Sequence, residues 1–187
     1  MTATSYTFFR DGSKGAARIY SGNLHEENPH QPINYRIKLN KKTYELYDEL
    51  QQQRGMYGPI LKGNYTNSSK SKATMEGFNM NVNMKQGGFL LSDKWTFTDP
   101  FQGNKSYTWK IDFLGDSWKL KDDQSQQVVA FFERAGFSIR KQGVLTVYYQ
   151  VPLYLLAYII LSHKLLHQSL KKEEEKAIEN GADSFGG

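Results

Sequence analysis

Val151–Leu161, VPLYLLAYIIL, carries no charged side chain over eleven positions. Wound into a helix, these residues are apolar on every side, so the segment cannot lie on a surface and must be surrounded by lipid or by protein. From Val151 to Leu166 a helix is about 24 Å long, whereas a bilayer's apolar core is about 30 Å thick and asks for about 20 apolar residues. Ser162, His163 and Lys164 interrupt the stretch. A run this short reads as a buried helix, the alternative being a short span from which Lys164 snorkels. Pro152 stands where a first helical turn tolerates it. The helix is predicted to start near residue 151, to continue through LLHQSLKKEEEKAIEN and to stop at Gly181, ahead of a frayed GADSFGG.

What surrounds the helix follows from the rest of the chain. Short alternating stretches rich in β-branched and aromatic residues recur up to about residue 150: YTFF, ARIYS, NYRIKLN, PILKGNY, TMEGFNMNVNM, GFLLSDKWTFTD, SYTWKIDFL, SWKLKDD, QQVVAFFERA and GVLTVYYQ. Turn signals such as RDGSKG, GNLHEENPHQP and TNSSKSKA separate them. In TYELYDELQQQRG the first half alternates as a strand does, and the second half is read as a turn. Tyr107, Trp109, Ile111 and Phe113 share one face at period two. The pattern predicts about ten to twelve strands in an antiparallel barrel or sandwich. A closed barrel is the form that both encloses an all-round apolar helix and leaves no exposed sheet edge.

Composition removes several function classes. The 187 residues contain no cysteine, which excludes disulfides, thiolate zinc sites and thiol catalysis together. The opening MTATSYTFFRDG lacks the basic and apolar regions of a signal peptide. Formal charge is +5 but uneven: residues 1–170 hold 21 Lys/Arg against 14 Asp/Glu, and residues 171–187 hold 3 against 5. A basic body with an acidic tail admits anionic partners.

No nucleophile elbow, phosphate loop or dinucleotide fingerprint occurs, so no catalytic residue is assigned and no enzyme is expected. His163 and His167 have the i, i+4 spacing at which two imidazoles can share a metal, but no HExxH glutamate lies between them. They read as a satisfied or solvated pair near the barrel's mouth. Asp112, Asp116, Asp122 and Asp123 lack the alternation and glycine placement of a calcium loop and read as turn residues. No cofactor or metal is expected. The basic residues of KLNKK (Lys38, Lys41, Lys42) and LKGNYTNSSKSK (Lys62, Lys70, Lys72) flank predicted turns, where they can gather at a rim and meet phosphates.

YTWKIDF, SWKLKDD, QQVVAFFERA and GVLTVYYQ running into VPLYLLAYIILSHKLL resemble the second half of tubby C-terminal-like domains. That superfamily includes tubby, LURP-one-related and phospholipid scramblase-like proteins, and the texture is nearest to small fungal members of unassigned role. The resemblance covers residues 5–168 and implies a closed barrel of about twelve strands around a central helix. The arginine motifs by which tubby proteins hold phosphoinositides have no counterpart here, so no lipid-binding residue is carried over. The expectation is a tubby-like barrel over 1–168, with a helical extension and tail over 169–187. Leu153, Leu155, Leu156, Tyr158, Ile159 and Ile160 are expected to fill the lumen. The expected function is a non-catalytic, intracellular, cytoplasmic binding domain that docks peripherally on anionic lipid through Lys38, Lys41, Lys42, Lys62, Lys70 and Lys72. The alternatives are a scramblase-like protein with its helix in lipid, or a scaffold that binds other proteins through residues 169–187. Nucleic acid is not an expected partner.

Overall fold

The computed structural model describes residues 3–12, 15–87, 94–112, 115–136 and 138–183. Twelve strands form: β1 (Thr4–Arg10), β2 (Ala17–Ser21), β3 (Tyr35–Asn40), β4 (Thr43–Asp48), β5 (Leu61–Tyr65), β6 (Lys72–Gly77), β7 (Met80–Gly87), β8 (Lys94–Asp99), β9 (Lys105–Ile111), β10 (Ser117–Asp122), β11 (Val128–Arg134) and β12 (Lys141–Val147). Each pairs antiparallel with its sequence neighbours, and β1 closes on β12. The result is an up-and-down barrel without a free edge, followed by one long helix, α2 (Leu153–Asp183).

Period-two burial makes the wall two-sided. Along β4, Tyr44, Leu46 and Asp48 are buried while Thr43, Glu45 and Tyr47 are partly exposed. The three tryptophans, Trp95, Trp109 and Trp118, all point inward with at most 1% exposure. Tyr107, Trp109 and Ile111 share the inner face as their spacing predicts, while Phe113 lies outside the described residues, as do residues 88–93 at the start of the stretch GFLLSDKWTFTD.

The barrel interior is filled by α2. Leu155 through Leu166 are buried without interruption, and each fully buried aliphatic side chain contributes about 1.5–3 kcal/mol. Leu153 is a correction to the expected core: it is 39% exposed at the helix's mouth, so the filling begins at Leu155. The helix packs tightly on the wall at Gly63 of β5, where a Cβ would stand 3.1 Å from side-chain atoms of both Leu161 and Leu165. No helix among the described residues is long and apolar enough to cross a membrane.

Two further local expectations are corrected. Glu49–Gln53, expected as a turn, forms a short helix, α1, because the Asp48 carboxylate accepts from the Leu50 and Gln51 amides and caps it. α2 does not stop at Gly181 but runs on to Asp183.

Because the strands alternate in direction, the two ends of the barrel carry different connections. α2 enters beside the loops β4–β5, β6–β7 and β8–β9, where Tyr154 packs on Phe101 at 4.6 Å and Tyr158 donates to the Gly77 carbonyl. It leaves beside the hairpins β1–β2, β3–β4, β5–β6, β9–β10 and β11–β12. This exit end receives most of the turn lysines.

Candidate functional site

The three polar residues that interrupt the apolar run lie inside the barrel, each met by one wall residue. Trp109 Nε1 donates to Ser162 Oγ at 2.9 Å, and Trp118 Nε1 donates to His163 Nδ1 at 3.0 Å. The His163 ring stacks on Phe132 with centroids 3.9 Å apart. Burial holds the His163 pKa well below its ordinary value, which keeps Nδ1 an acceptor. Trp118→Phe leaves that nitrogen buried without a partner; we expect a loss of about 1–3 kcal/mol in chemical denaturation with the fold retained.

Lys164 does not snorkel. It is 0% exposed, and its Nζ donates to Gln142 Oε1 at 2.7 Å. Gln142 reaches it from an irregularity in β12: Phe8 pairs with Gly143 but Phe9 pairs with Lys141, leaving Gln142 as the extra residue of a bulge. Burial first, then the charges of Lys171 and Arg10, push the Lys164 pKa down to about 7. In the unfolded chain a lysine keeps its proton to about pH 10.4. The unfolded state therefore binds more protons between these values, and stability rises with pH across that window. Lys164→Met is expected to raise the urea midpoint at pH 7 and to flatten this rise. A variant less stable than wild type at both pH 7 and pH 10 contradicts the assignment.

The expected lysines do not all gather at the exit end. Lys38 and Lys62 lie on the outer wall, where the register alternates them with carboxylates: Lys38 opposes Glu45, Glu45 opposes Lys62, and Lys62 opposes Glu76. They form a balanced ladder rather than part of a rim. Lys72 opens β6 opposite Lys85. Lys41, Lys42 and Lys70 instead come together around a cleft of about 540 Å³, joined by Lys172 of α2.

The helix fixes the floor and one wall of this cleft. Tyr65 donates to the Leu165 carbonyl and meets Tyr44 edge-on at 6.3 Å. Ser169 Oγ donates to the Lys70 carbonyl at 3.1 Å, and Lys172 Nζ donates to the Ser68 carbonyl at 2.5 Å. The β5–β6 hairpin is thus held against α2, and Lys70 Nζ sits 5.3 Å from the Tyr65 ring centre. Lys41 and Lys70 both have left-handed backbone at φ 57°, a conformation that glycine or asparagine adopts more cheaply. Lys172 stands in the mixed-charge stretch KKEEEK, where nothing in the sequence sets it apart from its neighbours.

The acidic residues hold turns at opposite ends of the barrel. Asp112 accepts from the Asp116 and Ser117 amides and from Ser117 Oγ at the exit. Asp122 accepts from Lys105 at 2.7 Å and from Ser125 at the entry. His163 and His167 are stacked with centroids 6.1 Å apart, but His163 already accepts from Trp118. Among the described residues no group of three potential ligands could hold a metal.

Comparison with known proteins adds little to this geometry. No protein-family model matches the chain, and a search of curated proteins gives no match. Among solved structures, an X-ray structure of a protein from Arabidopsis thaliana is similar over 90% of this chain and 91% of that one, at 13% identity and a TM-score of 0.44. A likeness that slight carries no argument about function.

Proposed function

We propose that the protein is a non-catalytic binding domain whose exit end docks on anionic membrane surfaces, built on a barrel of the tubby-like kind. What carries the reading is the convergence of Lys41, Lys42, Lys70 and Lys172 on one cleft at an open end of the barrel. Each basic residue near an anionic surface contributes about 1 kcal/mol, so a group of four suffices for reversible attachment. Two of the four occupy left-handed backbone that a lysine does not favour, a cost that solubility alone does not require. At the same end the β11–β12 hairpin presents Ile139, 83% exposed, beside Arg140 and Lys141. An apolar tip flanked by cations suits the boundary between headgroups and acyl chains. The tubby-like assignment is supported by the strand order and by the single helix that follows and fills the barrel.

Flotation on vesicles of phosphatidylcholine with phosphatidylserine tests the reading. Binding at low salt, lost at high salt, is expected for the wild type. Lys41→Glu, Lys42→Glu and Lys172→Glu together should abolish it, whereas Lys38→Glu with Lys62→Glu should change it little. Lys41→Gly, which relaxes the backbone while removing a charge, should weaken flotation without lowering Tm. Attachment that survives high salt, or that tolerates the triple substitution, overturns the proposal.

A further inference from the structure

A second cleft opens at the exit end on the other side of α2, between β1, β11, β12 and the helix. Its volume is about 490 Å³, within the range of small-ligand sites. Arg10, Arg134, Lys141 and Lys171 line it, and its described lining residues include no aspartate or glutamate. Arg134 is held by Glu174 at 2.8 Å on its outer side. Arg10, Lys141 and Lys171 have no carboxylate partner among the described residues. His167 also lines the cleft, and its Nδ1 is buried with no hydrogen-bond partner. An orphaned buried nitrogen is rare enough in a folded protein to ask for an explanation. Behind this lining stands Lys164, one side chain away: Gln142, which faces the cleft, accepts from Lys164 and donates to the Ala16 carbonyl at 3.3 Å.

We propose that this cleft binds a phosphate monoester, with Arg10, Arg134, Lys141 and Lys171 as its counter-charges. A dianion satisfies what the cleft lacks. Three of its four cations, Arg10, Lys141 and Lys171, have no carboxylate partner among the described residues, and charge-assisted hydrogen bonds to phosphate are the strong ones. Lys164 touches no ligand; it is a positioning charge behind Gln142. The groups facing it are Arg10 from β1, Gln142 from β12, and His163, His167 and Lys171 from α2, and the positive ones among them oppose its charge. A bound dianion reverses the sign of that field, and linkage makes the effect reciprocal: what helps Lys164 hold its proton helps the anion bind. The inference is separable from membrane docking: the two share Ile139 and Lys141 of the β11–β12 hairpin but not the Lys41, Lys42, Lys70 and Lys172 cleft across the helix.

The test follows amide and lysine side-chain NMR signals of the full chain while glycerol 3-phosphate is added, with sodium chloride as the ionic-strength control. Shifts are expected at Gly136, Gln142 and His167 with the phosphate ester and not with chloride. Between pH 7 and pH 9, where the ester stays a dianion, affinity should fall by about fivefold as Lys164 loses its proton, a difference of about 1 kcal/mol. The Lys164 Cε titration should move upward by about one unit when ligand is present. Lys141→Gln with Lys171→Gln should weaken binding by tenfold or more, and Lys41→Gln with Lys42→Gln should leave it unchanged. Lys164→Met should abolish the dependence on pH while retaining binding. Vesicles containing phosphatidic acid form the second arm. This arm uses the Lys41→Glu, Lys42→Glu and Lys172→Glu variant, so that vesicle binding reports on the second cleft alone: binding there but not to the free ester assigns the phosphate to a lipid headgroup, and binding to the free ester assigns it to a soluble metabolite. Binding in neither arm, or an unaltered pH dependence in Lys164→Met, overturns the proposal.

Discussion

Ile160→Asp leaves the chain without a stable folded state. Ile160 is 0% exposed in the middle of the enclosed stretch of α2. The substitution removes about 1.5–3 kcal/mol of burial and adds a carboxylate whose desolvation costs several kcal/mol when no partner is supplied. The sum is comparable to the about 5–15 kcal/mol that separates a typical domain from its unfolded chain. Circular dichroism should show loss of the cooperative transition, and the protein should aggregate on expression. Leu156→Asp, nearer the entry end at 9% exposure, should act in the same direction. Ile178→Asp is the matched control: the residue lies on the same helix beyond the barrel, 72% exposed, and should stay within about 0.5 kcal/mol of wild type. A soluble double variant at Leu156 and Ile160 with wild-type Tm would falsify the enclosed-helix architecture.

Gly143→Ala should cost about 3 kcal/mol or more, or about 6–12 °C in Tm for a chain of this size. Gly143 has φ +154° at the β12 irregularity, and a Cβ there would overlap the Glu133 carbonyl oxygen and the Phe132 ring. The carbonyl belongs to the neighbouring strand and cannot yield without breaking the β11–β12 ladder. Displacing Phe132 also disturbs the ring stack on His163, and any shift of the bulge carries Gln142 away from Lys164. Gly87→Ala, where a Cβ meets nothing within 4 Å, should be near neutral. Equal thermal stability of the two variants would show that the bulge is not the fixed point it is taken to be.

The barrel and its filling were legible because both follow from periodicity. An apolar run on all sides of a helix demands enclosure, and alternating strands can supply it. Local turn chemistry carried nearly as far: Lys41, Lys42 and Lys70 sit in turns between strands, and strand parity brings their hairpins to one end. For Lys38 and Lys62, position within a strand decides more than proximity to a turn. Lys38 stands between Ile37, which is buried, and Leu39, so the alternation already assigned it to the outer face opposite Glu45. What could not be read was Lys164. Its partner Gln142 depends on a bulge set by β1 pairing with β12, and no local pattern announces a register shift between strands so distant in sequence. The cation-lined cleft was invisible for the same reason, since Arg10, Arg134, Lys141 and Lys171 come from four elements brought together only by closure.

Closure also fixes an order of events in synthesis. The helix that fills the barrel follows all twelve strands in the sequence, so a growing chain holds its complete wall before the filling exists. Adjacent hairpins can form early, being local. The seam between β1 and β12 joins residues as far apart as Thr4 and Val147, 143 positions, and ordering so long a loop has to precede the contacts that reward it. A ring closed without the helix would enclose a void, so seam and helix settle together, after translation has passed the last strand. Until then β1 and β12 are open edges, and this interval is when the chain is most exposed to association with its own copies.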